Sequence, residues 1–118
     1  MPLPEFKQIV DEARRQIQEI DPSDLLRMQQ AGEDFTLIDV REPNEHAKGM
    51  IAGAVAMPRG ILERDIDQIT SDKERKIVLY CAGGFRSALA ALSLKHMGFN
   101  NVISLSGGYR GWIQLQAG

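Results

Sequence analysis

One cysteine, Cys81, stands in a chain of 118 residues. That excludes an internal disulfide and any four-cysteine zinc framework. The two histidines, His46 and His96, lie far apart and form no His-x3-His pair, so no metal site and no cofactor are expected. No apolar run approaches the roughly 20 residues that would span a bilayer. An excess of one charge is missing as well: 14 Lys and Arg face 16 Asp and Glu, a net charge of -2. Such a surface has no basic field to draw in nucleic acid or an anionic membrane, and neither is expected as a partner. The first residues, Met1-Pro2-Leu3-Pro4-Glu5-Phe6-Lys7, lack the basic-then-apolar layout of a secretory signal. A lone thiol persists in reducing surroundings, so the expected location is cytoplasmic. Repeats, low-complexity tracts and linkers are absent too.

The residues that are present describe an ordinary globular domain, with 43% hydrophobic and 25% charged residues. Phe6, Ile9, Val10, Ala13 and Ile17 recur at helical spacing, which predicts an amphipathic N-terminal helix packed on the chain's own core, with a dimer or partner contact as the alternative. Asp21-Pro22-Ser23 opens a second helix through Leu25, Leu26 and Met28 that stops near Gly32. Residues 36–40 and 54–57 are short β-prone runs, the latter closed by Pro58, and Ile61 to Ile69 has helical periodicity. Lys76-Ile77-Val78-Leu79-Tyr80 reads as a buried central strand. An alanine- and leucine-rich helix from Ser87 to Met97 ends at Gly98, and Val102 to Leu105 is the last strand. Strands alternating with helices predict an α/β domain with a parallel sheet.

The chemistry is concentrated in Leu79-Tyr80-Cys81-Ala82-Gly83-Gly84-Phe85-Arg86-Ser87-Ala88. A buried strand delivers a cysteine to its carboxyl end, a tight loop turns, and a helix begins. In open α/β sheets that edge is where ligands bind. Backbone N–H groups of the loop and first helical turn form a nest for an anion. Gly83 and Gly84 are expected to supply the backbone angles the cradle needs. A thiolate held there gains from the helix dipole and from nearby Arg86. The inert alternative, a cysteine that merely fills a strand end, leaves the coincidence of strand, Gly-Gly, Arg and helix start unexplained.

These residues resemble the rhodanese-like sulfurtransferases, single-domain type. Cys81-x-x-Gly84-x-Arg86-Ser87 is similar to the family's active-site loop. Leu37-Ile38-Asp39-Val40-Arg41-Glu42-Pro43-x-Glu45, continued by Gly49-x-Ile51-x-Gly53-Ala54, resembles its upstream signature. Ser106-Gly107-Gly108-Tyr109-x-Gly111-Trp112 resembles the C-terminal one. The likeness runs from about Ile20 to Trp112. Residues 1–19 are therefore expected to form an N-terminal helical extension, and 20–118 one globular rhodanese domain.

The resemblance implies a five-stranded parallel sheet flanked by helices, with the amphipathic helix as an addition. It implies that Cys81 takes a sulfur atom from thiosulfate or a persulfide, carries it as a persulfide, and passes it to a thiol or cyanide. It also implies a persulfide loop of Ala82, Gly83, Gly84, Phe85, Arg86 and Ser87, with Arg86 helping to hold an anionic donor. Asp39 and Arg41 are expected to support the active-site side of the sheet. A sulfur-relay protein is a conceivable partner, and the chain is expected as a monomer or homodimer. Related phosphatases and arsenate reductases have five residues between Cys and Arg, whereas four stand here, which favours sulfur over phosphate. The alternative is a rhodanese-like interaction module without catalysis. Met50 stands where many family members have histidine, and His46, at a different position, is not assumed to replace it.

Overall fold

The chain was analysed as a computed structural model that describes residues 2–118. Five strands form one parallel sheet in the order β1-β5-β4-β2-β3. They are β1 (Gln18–Ile20), β2 (Thr36–Asp39), β3 (Ala54–Ala56), β4 (Ile77–Tyr80) and β5 (Val102–Leu105). The helices are α1 (Pro4–Gln16), α2 (Pro22–Gln30), α3 (Pro43–His46), α4 (Leu62–Asp65), α5 (Phe85–His96) and α6 (Gly108–Ala117). None of them is long and apolar enough to cross a membrane.

The middle of the sheet follows from its side chains. Ile77, Val78, Leu79 and Tyr80 are all fully buried, so β4 is apolar on both faces and takes the central place. Alternation then sorts the core into two layers. Ile77, Leu79 and Cys81 face a layer with Ala90, Ala91 and Leu94 of α5 and Leu62 and Ile66 around α4. Val78 and Tyr80 face the opposite layer, with Leu25 of α2 and Trp112 of α6. The α/β architecture with a parallel sheet between helices is thus as expected.

Several local details differ from the sequence reading, among them helices α3 and α6, neither of which was read from the sequence. In α1, Val10 and Ala13 are buried against α5, but Ile9 is 55% exposed. A helix resting on a single neighbour buries only the narrow row Phe6, Val10, Ala13 and Ile17, and Ile9 falls beside it. Ile61 to Ile69 is one α-helical turn, α4, between two 3-10 turns; Leu62 and Ile66 are buried, and Ile61 and Ile69 pack against the core only in part. The edge strand β1 lies where only the resemblance implied a fifth strand. The second helix starts as read: Asp21 Oδ1 accepts from the Asp24 amide at 2.9 Å and Asp24 Oδ2 from the Asp21 amide at 3.0 Å.

Candidate active site

Strand β4 ends at Tyr80, and the next residue places the Cys81 sulfur at the carboxyl edge of the sheet, 1% exposed. Two backbone amides donate to it, and the Ser87 hydroxyl oxygen accepts from its thiol. The Gly84 amide lies 3.1 Å away, the Ser87 amide 3.4 Å, and the Ser87 hydroxyl 3.6 Å. The Ser87 hydroxyl is also 2.8 Å from the Ser104 hydroxyl, and both serines are fully buried. Each hydroxyl carries one proton. The Cys81 thiol donates to the Ser87 oxygen, and the two serines share the hydrogen bond between them.

The two loop glycines have different jobs. Gly84 has φ 100°, a left-handed angle that turns the chain into α5. Gly83 has no such angle, so the expectation that both supply special backbone geometry is corrected at Gly83. There a Cβ would lie 2.2 Å from Nη2 of Arg110.

The loop is braced by the segment after β5. The Tyr109 amide donates to the Cys81 carbonyl at 2.8 Å, and the Arg110 amide to the Ala82 carbonyl at 3.0 Å. Those carbonyls are thereby held away from the sulfur. Gly108, with φ 57°, makes the approach possible: a Cβ there would lie 2.4 Å from the Cys81 carbonyl oxygen. Gly107-Gly108, part of the C-terminal signature, thus turns the chain after β5 and docks α6 on the active-site loop. Gly108→Ala is expected to cost about 2–3 kcal/mol of stability, through backbone overlap that no side-chain movement relieves. Urea denaturation reads the loss, and an unchanged midpoint would show that the α6 contact is slack.

Arg86, expected to face a donor, is occupied in this structure. Its Nη1 and Nη2 donate to the two carboxylate oxygens of Glu45 at 2.9 and 3.1 Å. The Arg86 hydrogen bonds are the main reason the Glu45 carboxyl falls from 4.5 to about 2, with the Glu42 amide at 2.9 Å adding to it. Glu45 was part of the upstream signature but was given no role there. A carboxyl depressed on folding stabilises the fold above its unfolded value, and the benefit is lost as pH falls from about 4.5 towards 2. Because Arg86 and Glu45 are 34% and 27% exposed, the contribution is on the order of 1 kcal/mol. Glu45→Gln is expected to flatten stability against pH by that amount in this window, and identical slopes would refute it.

Asp39 and Arg41 form a buried pair beneath the same edge. Arg41 Nη2 reaches Asp39 Oδ2 at 2.7 Å and the Gly49 carbonyl at 2.7 Å, and its guanidinium lies 4.2 Å over the Tyr109 ring. His46 Nε2 is 3.4 Å from Asp39 Oδ1, within ion-pair distance although it makes no hydrogen bond. Burial pushes the Tyr80 hydroxyl up, so it stays protonated beside this pair. At the other side of the loop, Phe85 is 45% exposed, with its ring 6.0 Å from Phe6 of α1.

A strand-to-loop-to-helix cradle around one thiol is shared with known proteins. The family model of the rhodanese-like domain matches residues 21–115. The chain belongs to the rhodanese-like family. Among its rhodanese relatives, a sulfurtransferase of Allochromatium vinosum is 35% identical over 98 residues, 83% of this chain and 90% of that one. A solved rhodanese-like domain protein of Staphylococcus aureus shares 25% identity with a TM-score of 0.75, covering 81% of this chain and 91% of its own. A Rhodopseudomonas palustris structure of unknown function, described as a possible tyrosine phosphatase, aligns with a TM-score of 0.85 at 33% identity. It covers 98% of this chain and 96% of that one. The rhodanese fold and its sheet are therefore as the sequence resemblance implied.

Proposed function

We propose that this rhodanese-like domain is a sulfurtransferase in which Cys81 accepts a sulfane sulfur from thiosulfate or a persulfide and passes it to a thiol or cyanide. The observation that supports it best is the pair of backbone N–H donors, from Gly84 and Ser87, gathered on one buried sulfur. The thiolate attacks the outer sulfur of the donor and the bond to the leaving group breaks, so the enzyme holds a persulfide until a second nucleophile takes it. Donors fixed in advance favour the anionic sulfur without reorganising at the moment of reaction. Ala82, Gly83, Gly84, Phe85, Arg86 and Ser87 form the loop around the bound sulfur. Asp39 and Arg41 hold the neighbouring strand end in place. Residues 1–19 act as an extension to a domain of residues 20–118.

Phosphoryl transfer is the competing reading, given the description attached to the Rhodopseudomonas palustris structure. The four-residue spacing from Cys81 to Arg86 and the engagement of Arg86 by Glu45 favour the smaller sulfur anion. Intact-protein mass spectrometry separates the two. Incubation with thiosulfate is expected to add one sulfur atom, removed by cyanide as thiocyanate. Failure to gain sulfur from thiosulfate and from a low-molecular-weight persulfide, with hydrolysis of an aryl phosphate instead, would overturn the proposal.

A further inference from the structure

Arg110 was not singled out in the sequence, yet it lies against the active-site loop. It is exposed and makes no ion pair among the described residues. Its amide is fixed to the Ala82 carbonyl at 3.0 Å, which anchors the residue beside the loop. Its guanidinium occupies the space a Gly83 side chain would take, with Nη2, Cζ and Nε 2.2, 3.2 and 3.6 Å from an ideal Cβ. Since Gly83 has no left-handed angle, this contact is what the missing side chain permits.

The charge distribution makes that position useful. Arg86 lies close enough to Cys81 to interact with its sulfur but is matched in charge by Glu45, so the pair offers an incoming anion reduced net attraction. We propose that Arg110 is a specificity-determining residue that receives the anionic leaving group of a thiosulfate-class donor, and that Gly83 is side-chain-free to admit it. The assignment rests on Cys81 being the sulfur carrier. The Cys81 thiolate bonds to the outer sulfur, the sulfur–sulfur bond of the donor breaks, and its electron pair leaves with sulfite. A thiolate and a dianion go in, and a persulfide anion and a sulfite dianion come out, with no other reactant. Displacement needs the leaving group on the far side of the outer sulfur from Sγ. It therefore projects out of the cradle towards the rim. Two anions must meet there, and a guanidinium without a carboxylate partner offsets their repulsion and can bond two oxygens at once.

The test separates binding from chemistry. In the Cys81→Ser protein, thiosulfate is titrated while the loop amides are followed by NMR. Adding Arg110→Gln is expected to weaken its affinity roughly five- to tenfold, less than the full worth of a hydrogen bond to a charged group because Arg110 is exposed to solvent. Gly83→Ala should weaken it similarly by displacing the guanidinium while leaving the unfolding midpoint in place. In the protein that retains Cys81, the rate ratio of alkylation by iodoacetate to that by iodoacetamide should fall in Arg110→Gln. Access to the sulfur cancels in that ratio, so it reads charge alone. Thiosulfate affinity unchanged within twofold, or no thiosulfate binding by Cys81→Ser, overturns the role of Arg110. If binding depends on Arg110 but Cys81 never acquires sulfur, the anion site stands and the sulfurtransferase reading falls.

Discussion

Cys81→Ser is expected to lose sulfur transfer by at least about four orders of magnitude while remaining folded. The loss follows from the covalent step, because an alcohol in this cradle cannot carry the persulfide, and removing a nucleophile costs on this scale in other covalent enzymes. The fold should survive because the replacement is nearly isosteric. Its hydroxyl can accept from the Gly84 and Ser87 amides that now meet the sulfur at 3.1 and 3.4 Å. The measurement is thiocyanate release from thiosulfate and cyanide, paired with a thermal melt. Residual turnover above one per cent, with the melt unchanged, would place the chemistry on another group.

The second large effect is on stability. Asp39 is fully buried and Arg41 is 4% exposed. Asp39→Ala takes away the carboxylate that accepts from Arg41 Nε at 3.0 Å, Nη2 at 2.7 Å and the Arg41 amide at 3.0 Å. A buried guanidinium without its partner typically costs about 3–5 kcal/mol. Against a usual domain stability of about 5–15 kcal/mol, the loss should be plain in urea denaturation. Replacing both, as Asp39→Leu with Arg41→Met, should recover part of it, since removing the pair together strands no charge. A loss under about 1 kcal/mol for Asp39→Ala would mean that Arg41 escapes to water and that the pair holds little.

The parts of this fold legible in the sequence are those in which local pattern and burial agree. The apolar run of β4, the cysteine after it and the helix of small residues behind it all carry signals within ten positions of one another. Strand β1 carries none. Gln18 and Glu19 are polar, the strand has three residues, and its place at the sheet edge comes from pairing with Ile103, Ser104 and Leu105 far along the chain. The site divides in the same way. Cys81, Gly84 and Ser87 are local to one loop, and their types suggest what they do. Glu45, Tyr109 and Arg110 reach the loop only through the tertiary fold. Gly83 shows the same limit: its glycine was read as a backbone requirement, whereas its neighbour is an arginine 27 positions later.

The clamp of Tyr109 and Arg110 on the Cys81 and Ala82 carbonyls has a consequence for biosynthesis. A ribosome delivers the nucleophile well before the residues that brace its loop. It also delivers β1 long before its sole partner in the sheet, β5. Contacts between segments so distant in sequence form late, after costly chain closure. A nascent chain halted before Gly108 has emerged would thus display a cysteine with an unbraced loop. The two hydrogen bonds that brace the Cys81 loop can form only once Tyr109 and Arg110 have left the exit tunnel.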